Sequence, residues 1–571
     1  MIDCLIRGGL VLDGTGAPAR RADIAIDDGR IVAVGEVSDT AASTIDADGL
    51  AVAPGFIDLH THYDAQLHWD PLADPSSQHG VTTVIGGNCG FALAPVTADG
   101  SDYLARLMAR VEGIPLPALQ AGLDWDWRSV GDFLAGFDGK LGVNAGFLAG
   151  HSSIRRAAMP GKGADEPATD AEIATMTALL HDALQSGALG FSTSRSPTHR
   201  DGDGTPVPSR GATPAELLAL AEVTRDYPGA SLALIPTGAI DLISDTEADL
   251  MAQMSAVSGH TMNWNTISVD SDRPERHIKQ MEVSRRARAI GGRVVALTSP
   301  YLLRLRLSFL TGFVFDTLPG WRELLFEKDV PQRIEALRRP DVRAALSSGA
   351  QRATGPLLEQ LTRWVPLSIA ETFHPQNAGL LHRSIGDIAA ERGADPFDVL
   401  ADIVVSDELR TGLQLPARAD DEQSWALRSR LWEDEDIIIG GSDAGAHLDV
   451  MCGAALTTAL LGDVVRERGL LSLERAVQLV TDIPATLYHL RDRGRVATGY
   501  FADLVLFDPA TVGFGPTTLR KDLPGDAYRL SADAIGVHRV LVNGVDLLVD
   551  GQPTGNLPGS VLRGPYAVPA P

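Results

Sequence analysis

The sequence predicts an α/β fold: a (β/α)8 barrel of TIM type, with a small β-sandwich domain built from both chain termini and an insertion before the last barrel strand. Three observations lead there. After Pro54-Gly55, apolar runs of strand length alternate with longer helical patterns, as βα units do. The runs number eight, the count that closes such a barrel. Both ends of the chain are instead hairpin-like, punctuated by Gly and Asp and without helical periodicity.

The opening segment holds β-type runs at Cys4–Ile6, Leu10–Leu12, Ile24–Ile26 and Ile31–Val34. The eight barrel runs are Phe56–His60, Val81–Gly86, Val143–Ala149, Ala188–Ser192, Ser231–Ile235, Met262–Ile267, Arg293–Leu297 and Ile437–Gly441. A helical pattern at Thr169–Gln185 opens on a Thr-Asp cap and stops at Gly187. Residues 299–435 are too many for one crossover and contain their own candidate strand, Pro366–Ala370, and helices, Val330–Leu337 and Val342–Leu346. They are read as an insertion covering the barrel mouth. A helix at Leu473–Val480 follows strand eight, and hairpins resume at Ala502–Phe507 and Val537–Leu548. The expected domains are therefore residues 1–54 with 492–571, and residues 55–491 including the insertion.

Composition excludes several classes. The chain has 571 residues, with 49 basic and 74 acidic side chains and a formal charge of −25, so it repels nucleic-acid phosphates and anionic lipid. Three cysteines, Cys4, Cys89 and Cys452, cannot build a disulfide framework and fit a reducing compartment. Neither a signal peptide nor an apolar run of about 20 residues is visible, so a cytoplasmic protein is expected, with no nucleic-acid or membrane partner. Homo-oligomerisation stays open.

Three motifs carry chemistry. Strand one ends in His60-Thr61-His62, and residues two apart in a strand point to the same side. Two imidazoles thus converge at the C-terminal face, where barrel active sites lie. Isolated, such a pair is as readily a hydrogen-bonded core pair. The second motif is Ile438-Ile439-Gly440-Gly441-Ser442-Asp443-Ala444-Gly445-Ala446-His447, an apolar run that stops at a carboxylate; alone, it also reads as an ordinary turn. The third, Gly86-Gly87-Asn88-Cys89-Gly90-Phe91, surrounds one thiol with small residues, where a buried inert cysteine is the common case.

Together these phrases resemble a known family. Ala53-Pro54-Gly55-Phe56-Ile57-Asp58-Leu59-His60-Thr61-His62 resembles the opening strand of the amidohydrolase superfamily, whose His-x-His binds metal. Gly80-Val81-Thr82-Thr83-Val84 followed by Gly87-Asn88-Cys89-Gly90 resembles its D-aminoacylase branch, the N-acyl-D-amino-acid deacylases, in which this cysteine ligates metal. Asn144–His151 through Arg156, Gly187–Thr193, and Gly494–Val496 with Gly499–Val505 extend the likeness over roughly residues 5–550. The resemblance implies His60, His62, Cys89 and Asp443 as metal ligands and Asp443 as the general base on the metal's water. Only Lys140, Lys162, Lys279, Lys328 and Lys521 are present, and none ends a predicted strand, so a carboxylated lysine is not expected.

The chain departs from the pattern. The family places metal-binding histidines after strands five and six, where this sequence reads Leu232-Ala233-Leu234-Ile235-Pro236 and Met262-Asn263-Trp264-Asn265-Thr266. One Zn²⁺ held by the four ligands and water is therefore expected, and a second ion is not excluded. His151, then His447, are the expected oxyanion donors. The family's basic carboxylate clamp has no counterpart in His447–Ala454, so Arg155, Arg156, Arg195, His199, Arg200 and His447 are the candidates for binding substrate. The expected function is metal-dependent hydrolysis of a non-peptide C–N bond in a small-molecule amide, with N-acyl (D-)amino acids foremost. Two alternatives stand beside it: an amide, cyclic amide or ester lacking a carboxylate, and a catalytically silent assembly protein.

Overall fold

The computed structural model describes residues 1–163, 166–302, 304–311, 315–354 and 361–567. Parts of the expected insertion, 303, 312–314 and 355–360, and the last residues of the expected terminal domain, 568–571, lie outside the described residues.

Eight parallel strands follow the expected order: Phe56–Asp58, Val81–Gly86, Asn144–Phe147 continued by Ala149–Gly150, Gly190–Ser194, Ser231–Ile235, Thr261–Trp264, Arg293–Thr298 and Ile437–Ile439. They lie in two hydrogen-bonded sheets. Strand three is broken at Leu148, so its first half pairs with strand two and its second half with strand four. Leu189 donates to Phe147 O at 2.7 Å across the break, and an isolated bridge joins Thr61 to Ala444 between strands one and eight.

Alternation along these strands separates two cores. Leu59, Ile85, Leu148, Leu189, Ala233, Val295, Leu297 and Ile438, from strands one to five, seven and eight and their ends, form one cluster with Leu487 and Tyr488. Their immediate neighbours, such as Val84, Val294, Ala296, Ile437 and Ile439, join the larger cluster shared with the helices. A strand apolar on both faces is what a layer between two cores requires. The helix Asp170–Gln185 is closed at its start by a capping box in which Thr169 and Glu172 satisfy each other's backbone amides.

The chain termini build one sheet. Ile2–Val11, Arg20–Asp27, Arg30–Gly35, Ala41–Asp46 and Ala51–Pro54 join Leu504–Phe507, Val537–Val542, Val545–Val549 and Gln552–Pro553 in a nine-stranded sheet. Leu504–Phe507 pairs directly with Ala51–Pro54, so strands from the two ends of the chain are continuous in one sheet. The tail departs from expectation: Val561–Leu562 leaves this sheet and pairs in parallel with Asn144–Phe147, at the edge opened by the break in strand three.

Within residues 299–435, Ser368–Glu371, Val330–Arg338 and Pro340–Gln351 occupy the expected strand and helices. The segment has its own apolar core, which takes in Val450 and Met451 from the loop after Asp443. Among the described residues, no helix is long and apolar enough to cross a membrane.

Candidate metal centre

Three loops at the C-terminal ends of the parallel strands converge. The first holds His60 and His62, fixed by Thr61 N donating to Ile85 O at 3.0 Å and His62 N to Ala444 O at 2.7 Å. The second carries Cys89, whose φ of 56° lies in the left-handed region, between Gly87 at 71° and Gly90 at 77°. A side chain at Gly87 would meet Leu148 O at 2.1 Å, so only glycine lets this loop reach the sheet. Ser192 locks the loop, accepting from Gly90 N and donating to Gly87 O. The third carries Asp443 at φ 51°, its amide donating to His60 O at 3.2 Å, and His447, also at 51°. Left-handed non-glycine residues are uncommon, and three meet here.

Their donor atoms face one another. Cys89 Sγ lies 3.2 Å from His60 Nε2 and 3.7 Å from His62 Nε2. Asp443 Oδ1 lies 3.3 Å from His60 Nε2 and 3.8 Å from His62 Nε2. Among the described residues, His60, His62 and Cys89 alone form a group of three with all ligand atoms within 4.8 Å. Zinc bonds of about 2.0–2.1 Å to nitrogen or oxygen and about 2.3 Å to sulfur, set tetrahedrally, would space neighbouring donors by about 3.3–3.6 Å. The observed spacings bracket that range, and Asp443 Oδ1 is buried with no hydrogen-bond partner. This donor set fits a metal ion.

Burial and neighbouring charge act differently on the four donors. Burial pushes the His60 imidazole down to about 4, leaving it neutral, as a ligand must be. Burial also opposes charge on His62, but Glu112, Asp443 and Cys89 around it outweigh burial and raise it well above its ordinary value. Burial drives the Cys89 thiol up to about 12, so a cation is needed to hold it as thiolate. For Asp443, burial is outweighed by His62, His60 and His447, and its carboxyl falls to about 2.

The remaining expected residues divide. His199 borders the centre: burial, with His447 and His62, lowers it to about 3, Asp443 acts on it in opposition, and its ring lies 5.3 Å from that of Phe91. His447 sits among the same charges, affecting His60, Glu112 and Asp443.

His151 and Arg155 are corrected. The neutral His151 donates through Nε2 to Glu216 at 3.0 Å and accepts at Nδ1 from Thr193 at 2.8 Å, leaving no ring nitrogen for an oxyanion. Arg155, also buried, bonds Glu216 at 3.0 Å and the carbonyls of Pro208 and Glu166 at 3.1 and 2.6 Å. Arg195 holds Glu247 at 3.0 and 3.1 Å. Arg156 lies over the Tyr103 ring at 4.4 Å, and Arg200 donates to Gly204 O on the surface.

One participant escaped the sequence reading. Glu112, just past the helix Ser101–Val111, brings Oε2 to 3.5 Å from His62 Nε2. Its only signal in the sequence is an acid between Val111 and Gly113 at the end of an apolar helix face.

Known proteins resemble the whole chain. An N-acyl-D-aspartate deacylase of Alcaligenes xylosoxydans xylosoxydans is 30% identical over 576 residues, spanning 99% of this chain and 96% of that protein. A solved D-aminoacylase with a binuclear metal centre, described by one-metal activation and second-metal attenuation, superposes with a TM-score of 0.65 at 28% identity, covering 99% of this chain and all of that one. An N-acyl-D-glutamate deacylase of Bordetella bronchiseptica, solved with zinc and a phosphonate mimic of the tetrahedral intermediate, gives 0.63 at 26% identity over 98% and 99%. The amidohydrolase family model matches residues 43–552, and with the histidine pair, thiol and aspartate gathered at the strand ends, this chain belongs to the amidohydrolase family.

Proposed function

We propose that this protein is a metal-dependent amidohydrolase that removes the acyl group from N-acyl amino acids, of D configuration as in its relatives. The observation that carries the reading is the approach of both Cys89 and Asp443 to the paired His60 and His62 imidazoles. Those four residues would hold one Zn²⁺, which when bound supplies Lewis-acid polarisation of the amide carbonyl and activation of water. Asp443, ionised far below neutral pH, accepts a proton from the attacking water and returns it to the departing nitrogen. His199 and His447 flank the approach to the reacting carbonyl. The eight strands would close as a barrel around this site, with residues 55–491 as the catalytic unit, 299–435 inserted, 1–54 with most of 492–571 as the partner domain, and Val561–Leu562 returning to the third barrel strand.

A second reading, an amide or ester without a free carboxylate, is favoured by the Arg155–Glu216 and Arg195–Glu247 pairs, which engage two arginines expected to bind an anion. A panel of N-acyl-D-amino acids, their L forms and uncharged amides separates the two. Turnover of the D forms, with Asp443→Asn about 10²–10⁴-fold slower yet folded, is the expected result. Turnover of uncharged amides alone overturns the deacylase assignment. Two tightly bound metals per chain would overturn the one-metal centre.

A further inference from the structure

Glu112 belongs to no motif, yet the chain goes to some length to bring it to the metal centre. It is 2% exposed. Its main-chain carbonyl accepts from His447 N, and Gly113, at φ 62°, passes against His447, where a side chain would stand 3.2 Å from Cα. This clamp fixes the segment after the helix against the loop that bears Asp443. The Oε2 atom then lies 3.5 Å from His62 Nε2, outside the close group of His60, His62 and Cys89 but beside one of its members, while Oε1 is buried with no hydrogen-bond partner. The neighbouring Arg110 does not neutralise it, because its guanidinium goes to Asp316 at 2.5 Å. Leaving such an oxygen unsatisfied costs about 1–3 kcal/mol or more. A cation held at His62 would satisfy it. Strands five and six, meanwhile, end in Ile235-Pro236 and Trp264-Asn265 and bring no imidazole.

We propose that Glu112 is a further ligand of the metal centre, a carboxylate donor beside His62 that enlarges the coordination set beyond His60, His62, Cys89 and Asp443. This rests on the metal-dependent reading above. Glu112→Gln keeps the shape and removes the anionic oxygen. Wild type and variant are stripped of metal, then titrated with Zn²⁺ against a chromophoric chelator and, separately, loaded with Co²⁺ for visible absorption. The expected result is Zn²⁺ affinity at least about 10–100-fold weaker in the variant, with Co²⁺ bands changed in position and intensity. Affinity within threefold of wild type and an unchanged Co²⁺ spectrum would overturn the assignment and leave Glu112 as a charge partner of His62. A wild type that binds neither ion overturns the metal-dependent reading itself, and this one with it. If the glutamine variant fails to fold, Glu112→Asp is read instead: its shorter carboxylate must change the Co²⁺ spectrum, and an unchanged spectrum counts against the proposal.

Discussion

Arg155 decides whether the basic residues after strand three recognise substrate or hold the fold. Its guanidinium is buried against Glu216, which also takes the His151 Nε2–H, and it caps the Pro208 and Glu166 carbonyls. Arg155→Met preserves much of the volume and strands the Glu216 carboxylate with one neutral partner. Removing one member of a buried pair costs about 3–5 kcal/mol, because the other charge stays desolvated. If about 400 residues unfold together at about 2.1 cal/mol/K each, that is a fall in Tm of about 4–6 °C. Arg156→Met is the control; it loses only a cation–π contact with Tyr103, worth about 0.5–1 kcal/mol, so its Tm falls by about 1 °C. Scanning calorimetry and steady-state kinetics on both variants make the comparison. A Tm for Arg155→Met within 1 °C of wild type, joined to a rise of more than about tenfold in KM for carboxylate-bearing substrates alone, would refute the structural role and restore the expected clamp.

Two further outcomes follow from the same geometry. Gly87→Ala places a methyl 2.1 Å from Leu148 O at a left-handed φ, so the Cys89 loop must move; chelator competition should show weakened Zn²⁺ binding, with far-UV circular dichroism retained. For Glu216, burial raises the carboxyl, but His151 and Arg155 together outweigh it and hold it below its ordinary value. Its stabilisation is therefore complete above the ordinary carboxylate pKa of about 4.3 and is lost as pH falls through the lower folded value. Urea midpoints measured across that acid range should fall for wild type and change less for Glu216→Gln.

Much of the strand order was legible because the parallel strands are largely buried on both faces and carry almost no charge: Val81–Gly86 and Ser231–Ile235 run as expected to the residue. Strand three misled. Val143–Ala149 reads as one run, and nothing local announces that Leu148 turns inward and divides it. His60, His62, Cys89 and Asp443 stood out because each ends or follows such a run, Cys89 and Asp443 among glycines. Glu112 did not, since only the distant contact of residue 112 with His447 brings it in. His151 looked catalytic for the converse reason: its place after strand three is visible in the sequence, whereas its partner Glu216 lies 65 residues away on another helix.

The strand Val561–Leu562 bears on how the protein is made. Ser560 donates to Asn144 Oδ1 across 416 residues of chain, and Val561 pairs with Ala145. At about 5–20 residues per second, a ribosome needs about 20–80 s to travel that distance. For that interval the emerging third strand has an open edge able to pair with another nascent chain. A ribosome that stops before Val561 releases a protein with every metal donor synthesised and a sheet still missing its last neighbour. Completion of this sheet therefore waits until Val561 and Leu562 have left the exit tunnel.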